Sequence, residues 1–169
     1  MSLTFKKILV PIDFSETAET ALHYAKELAR QAGGELHLLH VVDDPMLLAA
    51  WPIVAGGPAV ETGDEGAAVR AQLENLLTPL ERAQMRTAAD VIVGDPTGFA
   101  ISRYAAENEF ELIVMGTHGR GALAHAVLGS VAEHVVRSAP CPVLTIRHPA
   151  HRPTVMARLG EMVPAVKLS

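Results

Sequence analysis

At 169 residues the chain has the length of a single domain, since single domains run to about 100 to 200 residues, and with 49% hydrophobic and 20% charged residues it can offset the entropy of folding and is not expected to be disordered. A formal net charge of -5 argues against a broad basic face, and so against nonspecific nucleic-acid binding through counterion release. One cysteine, Cys141, excludes an internal disulfide and a cysteine-built zinc site, which fits a reducing, cytoplasmic setting.

Lys6 and Lys7 precede a short apolar run, Ile8 to Ile12, that is interrupted by Pro11 and ends at Asp13. It is too short for a secretion signal and reads as a parallel strand buried on both faces. From Ser15 to Arg30, Ala18, Ala21, Leu22, Ala25, Leu28 and Ala29 recur at helical spacing until Gly33-Gly34 stops the pattern. Glu35 to Val42 supplies a second strand, so the chain opens as β-α-β with a right-handed crossover.

The segment 43–66 breaks this rhythm, with Pro45, Pro52, Pro58 and several glycines set among Leu47, Leu48 and Trp51. It reads either as a mobile insertion or as a lid or subunit contact built on Trp51. Its uncharged stretch, Pro45 to Val60, falls short of the roughly 18 apolar residues a membrane helix needs, so no membrane span is expected. Val69, Leu73, Leu76, Leu77 and Leu80 mark a second helix that Pro79 kinks or interrupts.

Ala88 to Val93 is a third strand, Gly94-Asp95-Pro96 a turn, and Ile101 to Asn108 the core of a third helix. Leu112 to Met115 is a fourth strand running into Gly116, Ser130 to Ser138 a helix ending before Pro140, and Pro142 to Ile146 a fifth strand. Strands alternating with helices specify one α/β domain, 1–147, around an open parallel sheet. The tail 148–169 contains Pro149, Pro153 and Pro164 but also Val155, Met156, Leu159, Met162 and Val163, and reads as a fraying end or as one or two amphipathic turns against a partner.

In such a sheet ligands bind beyond the carboxyl ends of the strands, where neighbouring connections leave in opposite directions. Two segments qualify: Pro11-Ile12-Asp13-Phe14-Ser15 and Gly116-Thr117-His118-Gly119-Arg120-Gly121, the latter leading to Gly129-Ser130. Glycines let backbone amides approach phosphate oxygens, and the next helix offers unpaired amides and a positive dipole end. Arg120 adds charge-assisted donors, and Ser130 and Val131 can cap phosphate oxygens. Equally, Ser130-Val131-Ala132-Glu133 matches a capping box that needs no ligand.

Asp13 fits a ribose hydroxyl as well as it fits a helix cap. His118 suits phosphate contact or acid/base work, although a lone loop histidine is more often solvated, and no catalytic role is assigned to it. No HExxH, no GxxxxGK[ST] loop and no GxSxG elbow occurs, so no metal site is expected. Cys141, between two prolines and without a neighbouring base, reads as a small apolar residue.

Gly116-x-x-Gly119, nine residues, then Gly129-Ser130 resembles the G-x2-G-x9-G-[S/T] signature of the ATP-binding group of the universal stress protein family. Lys7 to Asp13, Leu39-His40-Val41 and Cys141-Pro142-Val143-Leu144 extend the likeness over about residues 3 to 147, with Glu111 a conservative departure from the family's usual aspartate. The resemblance implies a Rossmann-like, five-stranded sheet of order 3-2-1-4-5 with helices on both faces. It also implies a homodimer through Val143 to Arg147, open to further pairing, and ATP with Mg2+ at the switch point.

By that resemblance Pro11, Asp13, Val41 and Met115 surround the adenine and ribose. Gly116, His118, Gly119, Arg120, Gly129, Ser130 and Val131 hold the phosphates. The function implied is that of an ATP-binding stress-response regulator with slow or absent hydrolysis. A weak ATPase or nucleotidyl-transfer enzyme and a homodimeric interaction module without nucleotide are the alternatives.

Overall fold

The computed structural model describes residues 4–42, 63–94, 96–117 and 128–147. The strands are β1 (Lys7–Pro11), β2 (Glu35–Val42), β3 (Arg86–Val93), β4 (Leu112–Gly116) and β5 (Val143–Ile146), and the helices α1 (Glu16–Ala32), α2 (Gly63–Asn75), α3 (Pro79–Gln84), α4 (Thr97–Glu107) and α5 (Ser130–Ser138). All strand pairs are parallel and the order is β3-β2-β1-β4-β5, as the resemblance implies.

Central position explains composition. Ile8, Leu9 and Val10 are all inaccessible to solvent, because β1 has a strand on each side and helices on each face. Ile8 and Val10 join Ala18, Ala21, Leu22, Ala25 and Ala29 of α1 and Leu73 of α2 in one core. Leu9 and Ile113 join Ala100, Ile101 and Ala105 of α4 and Ala132 and Val135 of α5 in the other. The alanine stripe of α1 lets its axis lie close to the sheet, and the helix stops at Gly33, whose φ of 58° is left-handed.

The structure shifts three sequence boundaries. The second helix opens at Gly63, so 63–66 belongs to it and not to the irregular segment; residues 43–62, with Trp51, lie outside the described residues, as does the tail 148–169. Pro79 interrupts the helical pattern and does not kink it: the second helix ends at Asn75, and Pro79 starts a new one, for which its missing amide is no loss. Thr78 is the N-cap of α3 and forms a reciprocal capping box with Glu81. β3 begins at Arg86, two residues before the apolar signal, because its first residues pair with Glu35 and Leu36 of β2.

Candidate functional site

β1 and β4 are neighbours whose following helices cover opposite faces, α1 one and α5 the other, and this is the switch point beyond whose carboxyl ends a doubly wound sheet offers a ligand crevice. Pro11 ends β1 and Asp13 follows two residues on; Val41 is the penultimate residue of β2; Met115 and Gly116 close β4; Gly129, Ser130 and Val131 begin α5. His118, Gly119 and Arg120 fall outside the described residues.

On the β1 side the Ile12 amide donates to Leu39 O (2.8 Å), carrying the pairing with β2 past Pro11. Nδ1 of His40 lies 2.7 Å from Ile12 O; since a carbonyl only accepts, Nδ1 carries the proton. Asp13 Oδ1 accepts from the Ser15 amide (3.0 Å) and from Ser15 Oγ (2.6 Å). Ser15 is itself the N-cap of α1, accepting from the Ala18 amide (3.2 Å). The capping alternative for Asp13 therefore resolves in favour of Ser15, with Asp13 bracing the cap. Between them Phe14 stands at φ 61°, a left-handed conformation that costs a residue with a side chain about 1 to 2 kcal/mol.

On the β4 side Thr117 is buried, its amide donating to Ile146 O (2.9 Å) and its carbonyl accepting from the Gly129 amide (2.7 Å). The chain thus leaves β4 and enters α5 one hydrogen bond apart. A Cβ on Gly116 would stand 3.0 Å from Thr17 Cγ2 and 3.1 Å from the Thr17 carbonyl carbon. This glycine therefore serves the close passage of α1 in the first place.

The N-cap of α5 is Gly129, at φ -73° and ψ 156°, and no side chain among the described residues caps the helix. The Ser130–Glu133 capping box is thus not formed: Ser130 sits one position too far in, and the Glu133 carboxylate lies 3.7 Å from Arg137. First-turn amides have no intrahelical acceptor and carry the positive end of the helix dipole. This end of α5 has the chemistry of an anion site.

Residues 4–147 match the family model described as the Universal stress protein family. The chain belongs to that family. A universal stress protein of Methanocaldococcus jannaschii is 33% identical over 87% of this chain and 98% of its own. Universal stress protein UspA from Lactobacillus plantarum superposes with a TM-score of 0.68 at 27% identity, covering 86% of this chain and 100% of that one. The universal stress protein from Archaeoglobus fulgidus solved in complex with dAMP shares the fold, with a TM-score of 0.57 at 24% identity over 85% of this chain and 99% of that one.

Sequence reasoning passed over three groups in this universal stress protein. Thr117 and His40 stood inside motifs quoted for other residues. The third group is a half-buried polar cluster set back from the crevice, where Asp90 Oδ2 accepts from His37 Nε2 (2.9 Å) and Tyr104 Oη (2.6 Å) and Oδ1 accepts from Arg70 Nη2 (3.0 Å). The His37 hydrogen bond, outweighing the cost of burial and helped by Tyr104 and Arg70, holds the Asp90 carboxyl at about 2. Burial, and then the Asp90 carboxylate, push the Tyr104 hydroxyl far above its ordinary value. Burial also raises the Cys141 thiol, the reverse of what a nucleophile needs. Among the described residues no helix is long and apolar enough to cross a membrane.

Proposed function

We propose that this universal stress protein is a cytoplasmic regulator that binds ATP with Mg2+ in the crevice between β1 and β4, with little or no hydrolysis. The observation that carries the reading is the first turn of α5, which no side chain among the described residues caps, opening beside the ends of β1 and β4. Pro11, Asp13, Val41 and Met115 would take the adenine and ribose. The phosphates would lie against Gly116, His118, Gly119, Arg120, Gly129, Ser130 and Val131, with the Mg2+ carried on the phosphate oxygens. Asp13, a carboxylate held by the Ser15 cap, has the chemistry to accept from a ribose hydroxyl. The dAMP held by a protein of the same fold supports an adenine nucleotide as ligand.

A regulator needs binding that differs between two states, and turnover is not required of it. The same reading includes a homodimer through Val143 to Arg147. The test is to purify the protein natively, denature it, identify any released nucleotide by mass spectrometry, and titrate ATP with Mg2+ into stripped protein. Unhydrolysed ATP and a saturable titration are expected, with Gly119→Val abolishing binding while the fold persists, because a branched side chain blocks amide approach. Released ADP with measurable turnover would move the reading to an ATPase. No nucleotide and no titratable affinity would leave only a protein interaction module.

A further inference from the structure

The turn after β1 carries Asp13 on a backbone that does not hold itself. Phe14 is in the left-handed region without being glycine, and such a residue persists only where its surroundings over-determine it. Two of those surroundings are internal, the Ser15 amide and hydroxyl both donating to Asp13 Oδ1. External restraints include the core against which Phe14 packs and two bonds from β2: Leu39 O accepts the Ile12 amide at 2.8 Å, and His40 supplies a donor at 2.7 Å to the carbonyl of the same residue. The His40 ring also packs on the Phe14 ring, with centroids 5.2 Å apart and planes inclined at 44°.

We propose that His40 is the positioning residue of the nucleotide crevice: its Nδ1–H, by holding the Ile12 carbonyl, fixes the Ile12–Ser15 turn and so the place of the Asp13 carboxylate. Leu39 holds the Ile12 amide and His40 the Ile12 carbonyl, which is the atom nearer Asp13, and only the second bond belongs to a side chain and can be removed by substitution. His40 precedes Val41 directly, so the residue that sets the Asp13 turn and a residue expected against the adenine sit on consecutive positions of β2. Adjacent residues of a strand point to opposite faces. One strand end thus serves the turn with His40 and the pocket with Val41. The consequence for binding rests on the nucleotide reading above; the hold on the turn does not.

Two substitutions separate the donor from the ring. His40→Asn keeps an N–H near the position of Nδ1 and loses the aromatic contact; His40→Phe keeps the ring on Phe14 and loses the donor. Tyr104→Phe, in the polar cluster set back from the crevice, serves as a control that weakens the fold elsewhere. The readouts are ATP affinity by calorimetry, hydrogen exchange of the Ser15 amide, and the thermal midpoint. His40→Phe is expected to weaken ATP binding about tenfold or more and to speed exchange at Ser15. His40→Asn should restore both to within about twofold of the unsubstituted protein, and Tyr104→Phe should lower the midpoint without moving affinity. His40→Phe binding ATP like the unsubstituted protein, or His40→Asn failing as fully as His40→Phe, would overturn the assignment. If the unsubstituted protein binds no ATP, the nucleotide reading falls by itself, and unchanged Ser15 exchange in His40→Phe would still sink the hold on the turn.

Discussion

Asp90 shows how a single carboxylate joins three elements. It lies on β3, its partners His37 and Tyr104 on β2 and α4, and Arg70 reaches it from α2, which packs on the other core. Because its pKa stands near 2 against an ordinary 3.8, the folded state holds the charged form more firmly than the unfolded chain does. A depressed carboxyl contributes fully above its unfolded value and loses that contribution as pH falls through the folded one. Asp90 should therefore contribute about 1 to 2 kcal/mol at neutral pH and lose it between about pH 4 and about pH 1. Urea midpoints of the protein and of Asp90→Asn, compared near pH 6 and about pH 1.5, should differ widely at the first and converge at the second. Tyr104→Phe removes a buried donor to that carboxylate and should cost about 2 kcal/mol at pH 7 by the same denaturation.

At the scale of elements, the packing of α4 on α5 depends on Gly98, where a Cβ would stand 2.9 Å from His134 Cβ, and on the Ser102–Ser138 hydroxyl pair at 2.8 Å. Alanine is the better helix former by about 1 kcal/mol, yet the clash falls on a root atom of His134 that cannot swing aside, and overpacking costs about 1 to 3 kcal/mol. Gly98→Ala should therefore lower the urea midpoint, against its helix propensity, and should weaken ATP binding by displacing α5. Thr78→Ala, which dissolves the capping box of α3, should cost about 1 kcal/mol in the same measurement without touching affinity. These helices also show what was legible. Apolar runs such as Ile8–Val10 and Leu112–Met115 read directly as strands, because a parallel strand covered on both faces has no polar positions to confuse the signal. The bounds of α5 are legible, but its cap is not, since Ser130–Glu133 and Thr78–Glu81 have the same pattern and only backbone dihedrals reveal that the first does not form the capping box and the second does. His37 lies 53 positions from Asp90, and Tyr104 lies 14 from Asp90 across a turn on another element, so their meeting is a product of topology that no local spacing announces.

For the molecule as a whole, the two edges of the sheet are unlike. β3 carries Arg86, paired with Glu35, and Asp90, over which Arg70 is laid; charged edges resist pairing with another sheet. β5 has no charge from Val143 to Ile146, and Leu144 on it is 38% exposed. Among the described residues no strand pairs on the outer side of β5, and a short uncharged edge of that kind suits the proposed homodimer. That edge is also tied to the crevice, since Ile146 O accepts the Thr117 amide and Thr117 O accepts the amide of Gly129, the N-cap of α5. A ligand that orders the start of α5 therefore acts on a residue bonded to the pairing strand, and by linkage pairing must act equally on the ligand. Sedimentation of the protein should show a dimer whose dissociation constant shifts with saturating ATP and Mg2+, while Leu144→Lys should sediment as a folded monomer with altered ATP affinity. A Leu144→Lys dimer as tight as the original would remove β5 from the interface. A monomeric Leu144→Lys with unchanged ATP affinity would keep β5 as the interface and break the connection through Thr117.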